Sequence, residues 1–233
     1  MNKNKNQSKN NEINLAQMQN MTSYIYFFMA LNLLFLISII LPAAWLIFTT
    51  PNLLNVIALG LAFPGIAALC SCCIKYKEAS AKRSYKVLKS FLEGYRKNFK
   101  DTLKYCFVYA LLIFVISFNV NAYDTDSSIF PVITTAILAI LSTIIVTYMM
   151  IIATKFQFKL KDLFKISIYC ILMHFKITLK ISATYTVLFF AYPWVGAFTI
   201  LLFISPICYL IVHFAHPVLA DVYQTFVEKV EDE

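Results

Sequence analysis

Glycine occurs four times in 233 residues, and that scarcity excludes most nucleotide chemistry. A phosphate-cradling Walker loop, a dinucleotide fingerprint and a Gly-x-Ser-x-Gly turn all need closely spaced glycines, and the chain has none of these patterns. Histidine occurs three times and never as His-Glu-x-x-His. Charge is equally sparse, at 14% of residues. The twelve carboxylates all fall outside the long apolar runs, which offers no intramembrane proton relay or buried ion site. His213 and His216, with Asp221, could be sketched as a metal site, but the ligand set is incomplete and all three histidines read as interfacial groups. No catalytic residue, cofactor or metal is therefore expected, and the chain is not read as an enzyme.

What is abundant is apolar. Hydrophobic residues make up 60% of the chain, 21 of them Phe, with a mean hydropathy of +0.71, which describes an all-α integral membrane protein. The runs predict a polytopic bundle of six transmembrane helices, near 24–48, 53–74, 105–121, 132–154, 177–192 and 195–212. Residues 1–22 are polar and rich in Asn, and read as a disordered cytoplasmic tail. Residues 23–217 form the membrane domain, and 218–233 an acidic cytoplasmic tail. The six cysteines lie within or at the inner ends of spans and outline no disulfide framework, and Cys70 to Cys73 read as small packing residues. In the second span Gly60, Pro64, Gly65, Ala67 and Ala68 are the candidate helix-packing residues, since small side chains allow the close backbone approach that drives association in lipid.

Charge fixes the expected orientation. Between Lys75 and Lys104 ten Lys and Arg oppose three carboxylates, so this loop carries +7 of the chain's net +8. A second basic loop, 155–176, holds Lys155, Lys159, Lys161 and Lys165 against Asp162. Both belong in the cytoplasm, with both termini, and the outer loops hold no cation. Within the first loop Leu88, Leu92, Tyr95 and Phe99 share one helical face and the cations take the other. Two cytoplasmic interfacial amphipathic helices are therefore expected, the second along Leu163, Phe164, Ile168, Leu172 and Phe175. The candidate lipid- or partner-binding residues are Lys82, Arg83, Lys86, Leu88, Lys89, Leu92, Tyr95, Arg96, Lys97, Phe99, Lys100, Phe175, Lys176 and Lys180. Anionic headgroups are the expected partner, and nucleic acid is not, because topology alone accounts for the charge.

The stretch Phe63-Pro64-Gly65-Ile66-Ala67-Ala68-Leu69, followed by a basic segment, Phe91 and Tyr95-Arg96-Lys97-Asn98-Phe99, resembles the YesL family of small bacterial membrane proteins. Members carry a Pro-x-x-Ala-Ala turn of helix and then a basic loop ending in a Phe/Tyr-Lys/Arg-x-Phe-like run. The resemblance extends in layout from about Leu31 to Pro217, with Ser205-Pro206 and Tyr209 in the last span. Gly65 departs from the small polar residue or Ala usual there. The family has no established activity, and its genes often neighbour those of carbohydrate-uptake ABC transporters. The resemblance therefore implies a cell-membrane accessory or regulatory protein that contacts an ABC permease or ATPase. A permease subunit without its own motor, an immunity protein against a membrane-targeted toxin, and a self-associating homo-oligomer stay open beside it.

An internal repeat supports the layout. Asn98–Phe114 aligns at an offset of 76 with His174–Phe190, matching 8 of 17 positions. Span two, a basic helix and span three would thus recur in parallel as span four, a helix and span five.

Overall fold

The computed structural model describes residues 2–48, 53–79, 86–122 and 130–228, and among them every regular element is helical. The elements are α1 (Asn2–Phe48), α2 (Leu53–Glu78), α3 (Val87–Ala122), α4 (Phe130–Lys155), α5 (Leu160–Met173) and α6 (Phe175–Val222), which runs on into a π-helical turn, Tyr223–Glu228. The expected outer turn at Thr49–Asn52 and the loop holding Asp124 and Asp126 lie outside the described residues, as do Lys82 and Arg83. Among the described residues three helices are long and apolar enough to cross a membrane, Met21–Pro42, Ile133–Lys155 and Phe203–Glu228, and the bent pair Leu160–Met173 and Phe175–Leu188 adds a fourth only when counted as one span.

α6 is one element only in name. Gly196 adopts φ +73 and ψ 160, a conformation that glycine enters without the steric cost of a Cβ. The arms on either side fold back on each other. His174 at the start of the first meets Asp221 at the end of the second at 3.0 Å, and the Lys180 ammonium lies 5.6 Å over the Phe214 ring. The reversal expected at Tyr192, Pro193 and Trp194 thus falls at Gly196, just after them.

Side-chain contacts give each arm its direction. Phe27 stacks on Tyr76 at 3.8 Å between ring centroids, while Phe35 and Ser38 lie against Gly65, so α1 and α2 are antiparallel. Lys75 reaches Glu93 and Phe63 meets the Tyr109 ring, which makes α3 antiparallel to α2. Tyr148 on α4 bonds Thr178 at 3.0 Å and Thr147 bonds Tyr185 at 2.7 Å on the first arm of α6. The result is an up-and-down bundle of alternating arms, with α5 as a cross-piece.

α1 begins at Asn2; with no Gly or Pro before Pro42 and with Gln, Lys, Glu, Leu and Met spread along the segment, the helix propagates outward from its apolar half. One expectation changes. The first basic segment was expected to be a separate helix lying in the membrane plane. Instead Val87–Ala122 is one continuous helix, and its first four turns run along α2. The contact face is Val87, Phe91, Gly94, Asn98 and Thr102, all buried or, for Gly94, closed off by α2. These lie one position round from the apolar row that charge patterning selects.

The small residues of α2 are used unequally. Ala67 and Ala68 are fully buried. A Cβ at Gly65 would stand 2.5 Å from Ser38 Oγ and 3.3 Å from the Phe35 ring. Pro64 is buried inside α2 and supplies no amide to the turn before it, leaving the Gly60 carbonyl without its usual helical donor. Gly60 is buried, and among the described atoms nothing lies within 4 Å of a Cβ built there.

The repeat is visible as geometry. α2 shifted by 76 positions falls on α4, and α3 falls on α5 with the first arm of α6. The paired tyrosines Tyr109 and Tyr185 each donate a 2.7 Å hydrogen bond to successive turns of α4, at Thr143 and Thr147. Both threonines already donate to their own helix, at Ala139 and Thr143, so the phenols are the donors. The paired Thr102 and Thr178 are both buried. What differs is the junction: α3 continues through Asn98, whereas His174, with φ −108 and ψ 45, turns the chain through 97° between α5 and α6.

The α2–α3 contact gives a direct test. A Cβ at Gly94 would lie 3.1 Å from Ser71 and 3.6 Å from the Ala68 backbone. Gly94→Leu should lower the thermal midpoint of the detergent-solubilised protein, at an overpacking cost of about 1–3 kcal/mol. Gly60→Ala should leave it unchanged or slightly higher, and equal losses from both would argue against the close approach.

Candidate lipid and partner interface

Polar contacts gather the cation-rich segments at one end of the bundle. Lys155 Nζ pairs with Glu78 at 2.7 Å, joining the ends of α4 and α2. Lys75 Nζ lies 3.4 Å from Glu93 on α3, and Lys77 Nζ donates to the His213 carbonyl at 3.3 Å. Partial burial makes the Lys77 ammonium easier to deprotonate. These ion pairs are solvent-accessible and are each worth about 1 kcal/mol at most. They align helix ends that apolar packing has already brought together.

Lys86, just before α3, and Lys89, Arg96, Lys97 and Lys100 on it are exposed. Leu88 and Leu92 are also exposed, at 58% and 46%. Tyr95 and Phe99 are half-buried, with ring centroids 5.5 Å apart, and burial pushes the Tyr95 phenol up. The row singled out by periodicity therefore exists as an outward-facing apolar stripe flanked by cations.

On α5 the expected amphipathic pattern divides in two. Leu163, Ile166, Ser167 and Cys170 are buried, while Leu160, Phe164, Ile168 and Leu172 form an exposed apolar row beside Lys161 and Lys165. Leu163, expected in the interfacial row, packs inward. Phe175 and Lys176 are exposed on the first arm of α6, and Lys180 leans on Phe214. These three do not join the α3 cluster. What meets α3 is the α4–α5 junction: Lys97, Asn98, Asp101 and Lys104 share a cleft of ≈ 270 Å³ with Phe156, Gln157, Phe158, Lys159, Leu160 and Leu163. Of these only Lys97 was a candidate from the sequence. Phe156-Gln157-Phe158-Lys159 has no helical period to flag it, and Lys159 stands at the head of α5 without a side-chain cap.

Deeper in the bundle the two Tyr–Thr pairs border an apolar cavity of ≈ 250 Å³, which Cys70, Cys208 and Met150 also line. The Cys70 and Cys208 sulfurs are 3.4 Å apart, so the small residues of α2 meet the second arm of α6 here. Asn32 on α1 accepts from the Ser205 amide and hydroxyl, and that hydroxyl lies 3.0 Å from the Phe28 carbonyl. Among the described residues no group of three His, Cys, Asp or Glu is placed to hold a metal. His213 instead packs against the Tyr209 ring.

Among the described residues the protein is an all-helical bundle with several helices long and apolar enough to span a membrane, which is consistent with a membrane protein. Residues 28–120, from α1 through α3, match the family model described as "Protein of unknown function, DUF624". That is the domain YesL proteins contain, so the resemblance carried by Phe63–Phe99 holds over this stretch. No curated protein and no solved structure matches the chain.

The thiol contact is testable by oxidation. In a variant that keeps only Cys70 and Cys208, copper phenanthroline with oxygen should remove two electrons and two protons and join the thiols. After cleavage at a protease site inserted within 123–129, the fragments should co-migrate until reduced. Separate fragments, with both thiols still open to maleimide, would show that α2 and the second arm of α6 do not meet here.

Proposed function

We propose that this protein is a multi-pass cell-membrane protein with both termini cytoplasmic, acting without catalysis as an accessory or regulatory component beside another membrane complex. The observation that carries this reading is α5. It buries one face on the bundle, exposes Leu160, Phe164, Ile168 and Leu172 on the other, carries Lys161 and Lys165 between them, and turns 97° from the arm that follows. A helix with that distribution is stable at a headgroup boundary, with apolar side chains among acyl chains and ammonium groups toward anionic lipid. The same end presents the Leu88, Leu92, Tyr95 and Phe99 stripe on α3 as a surface for a protein partner. The YesL resemblance makes a carbohydrate ABC permease or its ATPase the first partner to test.

Mild crosslinking of the tagged protein in its native membrane, followed by affinity capture and mass spectrometry, should recover a membrane complex in stoichiometric amount. L88E/L92E should reduce that recovery at least severalfold while the protein remains in the membrane. Recovery of the protein alone from the wild type would reject the accessory reading.

A further inference from the structure

The cleft between α3 and the α4–α5 junction combines features that neither outward-facing row has. Lys97, Asp101 and Lys104 stand at i, i+4 and i+7, on one face of α3. Across from them Lys159 heads α5, and the enclosed volume is ≈ 270 Å³. Asp101 pairs with Lys104 at 3.1 Å. Among the described residues Lys97 and Lys159 have no carboxylate within ion-pair distance. Three ammonium groups against one carboxylate leave the cleft short of negative charge.

Most of its remaining wall is apolar. Ala153, Phe156, Phe158 and Leu163 continue directly from the long apolar run of α4, which ends at Lys155. A soluble anion would gain nothing from such walls. A molecule with a phosphate next to a glyceryl ester and acyl chains would use both parts, at the depth where α4 leaves the hydrocarbon. The side-chain amides of Asn98 and Gln157 line the same space and suit a headgroup bearing hydroxyls.

We propose that this cleft is a binding site for the phosphate-bearing headgroup of an anionic phospholipid, with Lys97, Lys104 and Lys159 holding the phosphate. The site rests on the reading that this end of the bundle lies at an anionic leaflet, and it specifies which residues distinguish one lipid there from bulk attraction. It is independent of whether a protein partner docks on α3.

The test is native mass spectrometry of the full-length protein in mild detergent, with phosphatidylglycerol or phosphatidylcholine added. Phosphatidylglycerol should be retained as a discrete adduct and phosphatidylcholine should not. K97Q/K104Q/K159Q should cut retention at least tenfold. K3Q/K5Q/K9Q, which removes the same charge from the N-terminal segment and touches none of the candidate binding residues, should retain it within about twofold of wild type, because charge outside the cleft attracts lipid weakly and without a fixed site. Lys159→Glu, a change at an exposed side chain that leaves the helical core intact, should abolish the adduct by itself, and K97R/K104R/K159R should keep it. Equal loss from the two glutamine triples would overturn the site in favour of general attraction. Displacement of the lipid by millimolar inorganic phosphate would overturn the lipid assignment and leave a free-phosphate site. Failure of the partner capture would leave these outcomes untouched.

Discussion

Where α2 passes α3, Ser71 and Ala68 face Gly94 with no room for a side chain between them, and α2 also touches α1, α4 and α6. A helix that meets four neighbours carries small side chains where they approach it most closely. Ala67, Ala68, Cys72 and Cys73 are accordingly buried around its circumference. In lipid the hydrophobic effect does not favour one apolar helix pairing over another, so close approach and a few hydrogen bonds must select the arrangement. The composition of α2 therefore governs where the other helices stand, and its largest buried side chain, Tyr76, closes the end nearest Lys75 and Lys77 against Phe27, Tyr24 and Tyr209.

The hydrogen bonds that complete this selection come from hydroxyls. Thr143, Thr147 and Thr178 each return a bond to their own helix and accept a phenol from a neighbour. Such bonds average about 0.6 kcal/mol in membrane proteins, too little individually to hold the bundle. Their value is registration, because Tyr109 and Tyr185 reach adjacent turns of α4 and so set the heights of two repeat units against one scaffold. The duplicated segments share these contacts and differ at Asn98 and His174. Asn98 donates its side-chain amide to the Gly94 carbonyl and stays within a straight helix. His174 sits at the break, where its ring reaches Asp221.

Much of this was legible in the sequence because charge and apolar length leave physical signatures that need no tertiary information. The helical class, the gathering of Lys and Arg at one end and the amphipathic character of 160–173 followed from those signatures. The repeat was legible too, since matched Thr and Tyr positions recur at fixed spacing. The packing face of α3 was not. Val87, Phe91, Gly94, Asn98 and Thr102 include a glycine, an amide and a hydroxyl, so a search for apolar periodicity passed over them in favour of Leu88, Leu92, Tyr95 and Phe99. In a membrane protein the seam is built from small and polar groups, and the most apolar row is the one left facing outward. That Lys104, Lys159 and Phe158 share one cleft was not legible for a different reason: they come from segments some 50 residues apart and become neighbours only when α3 lies against the α4–α5 junction.

That inversion bears on how the cation-rich end is used. If apolar rows marked packing faces, the stripes on α3 and α5 would be core and the lysines merely their solvated flanks. With both stripes exposed, each joins apolar side chains to ammonium groups on an open surface, which matches the layering of a headgroup boundary in both depth and sign. The two surfaces nevertheless differ in attitude. α5 crosses the bundle at 97° to the arm that follows it and is held by its buried face, whereas the α3 stripe climbs along a helix continuous with the interior. A perpendicular helix keeps all of its exposed residues at one depth. A climbing one spreads Leu88 to Phe99 over three turns, about 16 Å along the axis, so only part of the stripe can share the depth of α5. With α5 at a headgroup boundary, as proposed, the remainder would stand in the aqueous layer, where exposed leucines are stabilised more by a protein surface than by water.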